Sequence, residues 1–98
     1  MREPVNRARG EVLLEIGGEP RRLCVTLGAL AELEAAFDVG ALAELGERLA
    51  QLTASDLITV VAALSGVSTA ELAAARIDPR EAANAVAEAF RLAFGDEA

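Results

Sequence analysis

Residues 11–26 read EVLLEIGGEPRRLCVT, and the spacing of their apolar residues separates an all-helical chain from a mixed one. Val12, Leu14 and Ile16 fall on every second position, which is the period of a strand and not of a helix. After Gly17-Gly18-Glu19-Pro20 a second alternating run begins at Arg21, so the stretch predicts a β-hairpin over 11–26. Register follows from keeping one face apolar. Pairing Ile16 with Arg21 across a four-residue loop sets Leu14 opposite Leu23 and Val12 opposite Val25. The same register brings Glu15 to Arg22 and Leu13 to Cys24 on the other face. A two-residue Gly-Gly turn would oppose Leu14 to Arg21 and leave that apolar position without an apolar partner, so the longer loop is expected.

Downstream of the hairpin the period changes to that of helices. Thr26 has the chemistry of an N-cap, and Leu27, Leu30, Leu33 and Phe37 form an inward stripe with Glu32 opposite. Asp38-Val39-Gly40 ends this first helix, expected over 27–38. In the second, over 41–52, Leu42, Leu45, Leu49 and Leu52 share a face while Glu44, Glu47, Arg48 and Gln51 take the far side. Thr53 with Asp56 three residues later has the spacing of a capping box, aspartate standing in for glutamate. It introduces a third helix over 54–65, whose LITVVAAL run is expected to be buried. Ser65-Gly66-Val67-Ser68 is a turn, and Ser68 or Thr69 opens a short helix over 69–76.

Asp78-Pro79 restarts the chain with a capping carboxylate followed by proline at the first helical position. The final helix covers 79–94 and stops at Gly95. Val86, Phe90, Ala93 and Phe94 are expected to face inward, and Arg80, Glu81, Asn84, Glu88 and Arg91 outward. GALAEL occurs at Gly28–Leu33 and again at Gly40–Leu45, but a period of 12 residues is too short for a helical repeat, and it stops after two copies. The fold class is therefore α+β, mainly α: an N-terminal hairpin packed on a bundle of four to five helices. Residues 1–10 read as a flexible arm and 11–95 as one globular domain.

Charge narrows the range of partners. The net charge is −7, and it is unevenly spread: residues 1–22 carry five arginines against four glutamates, whereas the remainder carries four arginines against twelve acids. Affinity for nucleic acid comes mainly from basic residues concentrated on one face, and this chain has none. The three aromatic residues, Phe37, Phe90 and Phe94, provide no row on which bases could stack. No apolar run is long enough to span a bilayer. The N-terminus lacks the apolar segment of a signal peptide, and a single cysteine, Cys24, cannot form an internal disulfide. These features lead to the expectation of a cytoplasmic protein that binds neither nucleic acid nor membrane.

The chemistry of catalysis is sparse. There is no histidine, which removes the usual general base and the commonest metal ligand. Cys24 lies in the alternating run and reads as structural. Glu32/Glu34 and Glu44/Glu47 could hold a hard cation or move a proton, yet both pairs fall on helix faces that water covers, without desolvation to tune them. Gly17-Gly18 is too brief to cradle a phosphate. Acyl carrier proteins attach their prosthetic group to serine in an Asp-Ser-Leu motif, but here the order is Ser55-Asp56-Leu57, and Ser55 reads as part of a cap. No catalytic residue, cofactor or metal site is assigned, and no enzymatic activity is expected. A carrier or a minor enzyme using surface carboxylates is the competing class. For partner binding, the small-residue edge of the last helix, Ala85, Ala89 and Leu92, is the expected exposed surface.

TLGALAELE at 26–34, LAEL at 42–45, TASDLI at 53–58 and AFRLAFG at 89–95, in this order and spacing behind a strand pair, resemble one phage-derived family. It is the small tail protein of gene transfer agents, the phage-like particles that some bacteria make to move DNA between cells. The likeness spans most of residues 10–95 and rests on order and spacing more than on any single residue. The family is described both as a tail tube protein and as a tail assembly chaperone. Tail tube rings are built from β-sandwich subunits, and one hairpin with helices cannot supply such a sheet. The resemblance therefore implies a chaperone, with the tape-measure protein, the tail tube protein or both as partners; self-association stays open. A stable tube or connector subunit is the alternative it implies.

Overall fold

The computed structural model describes residues 10–94. The expected flexible arm, other than Gly10, lies outside the described residues. Two strands, β1 (Val12–Ile16) and β2 (Glu19–Leu23), are followed by α1 (Leu27–Phe37), α2 (Leu42–Leu49), α3 (Ala54–Ser65), α4 (Thr69–Ala74) and α5 (Pro79–Phe94). This is the α+β, mainly helical architecture that the sequence predicts.

The hairpin corrects the expected register. Ile16 pairs with Glu19, Leu14 with Arg21, Leu13 with Arg22 and Val12 with Leu23. A two-residue turn closes it, with φ of +62° at Gly17 and +88° at Gly18. Positive φ at both central positions gives a turn whose twist matches that of the paired strands, and glycine reaches it without strain. The Gly17 N–H donates to the Arg76 carbonyl at 3.0 Å, fixing the turn to the segment between α4 and α5. Arg21 opposite Leu14 is tolerated because only β1 presents a full apolar face. Val12, Leu14 and Ile16 are buried, whereas β2 buries Leu23 alone. Arg21 is half-buried and carries its guanidinium to Glu71 at 3.6 Å and Glu19 at 3.8 Å. Its stem covers the sheet while its head stays wet. The strand ends at Leu23, so Cys24 and Val25 lie outside the ladder, and the Cys24 N–H donates to the Leu64 carbonyl at 3.1 Å.

The helix ends follow local chemistry closely. Thr26 Oγ1 accepts from the Ala29 N–H at 3.0 Å. Asp38 closes α1 in the left-handed region, with φ 56° and ψ 49°. At α3 the capping box is complete: Thr53 Oγ1 accepts from Asp56 N–H, and Asp56 Oδ2 accepts from Thr53 N–H at 3.0 Å. Ser68 caps α4, and Asp78 Oδ1 accepts from the Arg80 and Glu81 N–H groups at the start of α5. Each such cap contributes about 1 kcal/mol.

α3 is the centre of the molecule. Every residue from Asp56 to Ser65 is buried or half-buried, and the helix packs against α1, α4, α5 and β2. Leu23, Leu33, Leu45 and Val60 are the largest fully buried side chains, each stabilising by about 1.5–3 kcal/mol. α5 lies against β1, covering the apolar side of the hairpin.

Two expected faces are turned. In α1 the buried residues are Ala29, Leu30 and Leu33, while Leu27 is 83% exposed. Leu27 stands about a third of a turn from Leu33 and begins the helix, outside the layer that α3 covers. In α5 the buried residues are Ala82, Ala85, Val86 and Ala89. Phe90 is half-buried, but Ala93 and Phe94 are exposed, and Phe94 stacks on Phe90 with centroids 6.0 Å apart. The alanines face inward because α5 approaches the hairpin closely, and large side chains on that stripe would hold the two apart.

Candidate protein-binding surface

The expected binding edge of α5 is interior. Ala85 is 7% and Ala89 0% exposed, both within the core, and Leu92 is half-buried against it. An exposed edge made of these residues does not exist, so the candidate surface lies elsewhere.

The described residues form an apolar cleft between the first turns of α3, the end of α4 and the start of α5. Val61, Leu72 and Ala82 are its buried floor, Leu57, Ile58 and Ile77 are half-buried on its walls, and Ala73 and Pro79 are exposed at the mouth. Ala54 and Ala75 complete a lining without one charged or polar side chain, around about 220 Å³. A cavity of about 150 Å³ walled by aliphatic residues is large enough to take a benzene ring. The cleft therefore has room for one or two large apolar side chains, but not for a whole helix.

Its origin is local. α4 is a helix of 6 residues, and Ala75 leaves it in extended conformation, with φ −86° and ψ 156°. The chain then crosses to α5 through Ala75, Arg76, Ile77 and Asp78, and Leu57 and Ile58 stay only partly covered. Both pack against the core but are only half-buried, at the N-terminal end of α3 where fewer elements cover it. Two large apolar neighbours at a helix start were the available signal for this surface.

A polar cluster stands beside the N-terminus of α3. Arg48, expected on a solvent face, is half-buried. Its guanidinium carbon lies 4.7 Å from the centre of the Phe37 ring, and Nη1 lies 2.6 Å from Asp56 Oδ2. Nη1 also donates to the Gln51 carbonyl at 3.2 Å. The Arg48 hydrogen bond, then the Thr53 N–H and hydroxyl, lower the Asp56 pKa from 3.8 to about 2, against some desolvation. This cluster joins α1, α2 and α3 and has the geometry of a clamp, not of a reaction centre. Ser55 takes no part in the cap, which belongs to Thr53 and Asp56; its carbonyl accepts from Thr59 Oγ1 at 3.3 Å.

The carboxylate pairs are accounted for in part. Glu44 Oε1 accepts from the Gly40 N–H at 2.9 Å, just ahead of α2, while Glu32 and Glu47 are exposed. Among the described residues no group of three or more histidine, cysteine, aspartate or glutamate side chains is placed to hold a metal ion. No described helix is long and apolar enough to cross a membrane.

The described residues thus combine a hairpin of two short strands, a helical bundle and an uncharged apolar cleft. A family model described as phage tail tube protein, GTA-gp10, matches residues 9–96. The chain belongs to this family of gene transfer agent and phage tail proteins. No curated protein and no solved structure matches it.

Proposed function

We propose that this chain is a non-enzymatic tail assembly chaperone, acting in the cytoplasm while a phage-like tail is built. Its partner is the tape-measure protein, whose apolar helical segments need cover until tube subunits enclose them. The apolar cleft carries this reading: an amphipathic helix laid across α3 and α5 could place one or two large side chains between Leu57, Ile58 and Ile77. The net charge of −7 would keep such a complex dissolved. The sheet has two strands among the described residues, which gives little edge from which to build a continuous ring of sheet.

A second reading, a stable tube or connector subunit, is favoured by the family's own description as a tail tube protein. Co-expression separates the two. With the chaperone reading, tape-measure protein stays in the soluble fraction when this chain is present and sediments when it is absent. Ala73→Glu, which puts a charge at the mouth of the cleft without touching the floor, should return most of it to the pellet. Solubility that does not depend on the chain at all would overturn the proposal.

A further inference from the structure

α2 is held from outside. A helix of 8 residues is too short to hold itself in water, so its structure rests on docking. Its N-cap, Ala41, has no side chain to accept a hydrogen bond, and Glu44 instead takes the Gly40 N–H ahead of the helix. Gly46 stands in its interior and is exposed, and a Cβ there would meet nothing within 4 Å. No close approach calls for that glycine, which weakens the helix. Leu45 is its one buried side chain, joined by half-buried Leu49 and by Arg48, which lies over Phe37 and meets Asp56.

The helices on either side are closed without it. The Asp38 and Val39 N–H groups donate to the Ala35 and Glu34 carbonyls and finish α1. Thr53 and Asp56 cap α3 from within. α3 packs directly on α1, α4, α5 and β2, so none of these contacts passes through α2. Melting of α2 would leave residues 38–53 as a loop between α1 and α3. It would uncover the seat of Leu45, the Phe37 ring and the Asp56 carboxylate. None of the residues that line the α3–α5 cleft belongs to this seat.

We infer that α2 is a displaceable lid: it melts from α1 while the rest of the fold holds, and an amphipathic helix of a partner protein takes its seat. α2 itself shows what fits. Leu42, Leu45 and Leu49 follow one another at spacings of 3 and 4 residues, the pattern with which a helix enters a groove. The partner helix carries leucine at the place of Leu45 and arginine three residues on, reaching Asp56 across the Phe37 ring. Exchange of α2 between two copies of this chain fits less well, since α2 lies in mid-chain and both of its short connections would have to cross. The seat is independent of which tail component the chain serves.

Amide hydrogen exchange reads the opening. Gly46, Glu47 and Arg48 should exchange as one unit, about a hundredfold faster than Val60, Val61 and Leu64 once intrinsic rates are divided out. Gly46→Ala should slow the α2 amides about fivefold, and Arg48→Gln should speed them by a similar factor, with α3 unchanged in both. The binding probe is a capped peptide copying residues 40–52 with the Gly46→Ala change. Its titration should move the Phe37 and Asp56 resonances. Gly46→Ala in the protein should weaken that binding about fivefold, because the closed lid is then favoured, and Arg48→Gln in the protein should tighten it. Exchange of α2 at the rate of α3, peptide binding indifferent to Gly46→Ala in the protein, a response confined to Ile77 and Ala82, or a stable dimer that exchanges α2 would each overturn the inference.

Discussion

α2 and α3 adjoin in the chain, yet the protein holds them by different means. α3 packs against α1, α4, α5 and β2, with Val60, Val61 and Leu64 buried. α2 buries Leu45 alone and has α1 as its main neighbour. What fixes α2 to the start of α3 is polar: Arg48 lies over Phe37 and meets Asp56 at 2.6 Å. One helix is held by packing that tolerates little change, the other by Leu45, a half-buried Leu49 and a guanidinium. A surface that must adapt to a partner is more easily built beside the rigid helix than on the loosely held one. The apolar cleft opens on α3.

The widest separation between the two helices should come from apolar truncation. Leu64→Ala in α3 should lose about 2–5 kcal/mol of unfolding free energy in denaturant titrations. Leu42→Ala in α2, where the side chain is 49% exposed, should stay within about 0.5 kcal/mol. Similar losses at the two positions would end the distinction. Ala89→Leu comes next, at about 1–3 kcal/mol, because the added atoms have no space between α5 and the core. An unchanged melting curve for that variant would mean that the small-residue edge of α5 is open after all.

The polar clamp is tested through pH. The folded pKa of Asp56, about 2, lies below its ordinary 3.8, so its contribution is complete above that ordinary value and is lost as pH falls between the two. Asp56→Asn should be less stable than the parent at neutral pH and should lose less on acidification through this window. Parallel acid-unfolding curves for the two proteins would show that the clamp is not what joins α2 to α3. The smallest effect belongs to Leu27→Ser, within about 0.5 kcal/mol by thermal unfolding, since that leucine is 83% exposed.

Features set by neighbouring residues were legible before the fold was known. Thr26, Thr53 with Asp56, Ser68 and Asp78-Pro79 announce their helices because a cap is satisfied within three residues. The hairpin is legible in the alternation of Val12, Leu14 and Ile16. Its register is not, because the left-handed conformations of Gly17 and Gly18 outweigh the gain from opposing Leu14 to Leu23. The inward stripe of α5 is hidden for a related reason. Hydropathy ranks Phe90 and Phe94 above Ala85 and Ala89, but the approach of α5 to β1 selects small residues for the contact. The cleft follows from where α4 stops, and nothing in the spacing of Leu57, Ile58 and Ile77 declares that three separate segments meet there.

In the chaperone role proposed for it, the chain binds transiently during tail assembly and leaves before the particle is complete. Quantitative mass spectrometry of purified particles, beside the lysate of the cells that made them, measures this directly. A chaperone should be abundant in the lysate, recovered with tape-measure protein, and almost absent from the particles. A copy number in mature tails matching that of a ring-forming subunit would contradict it.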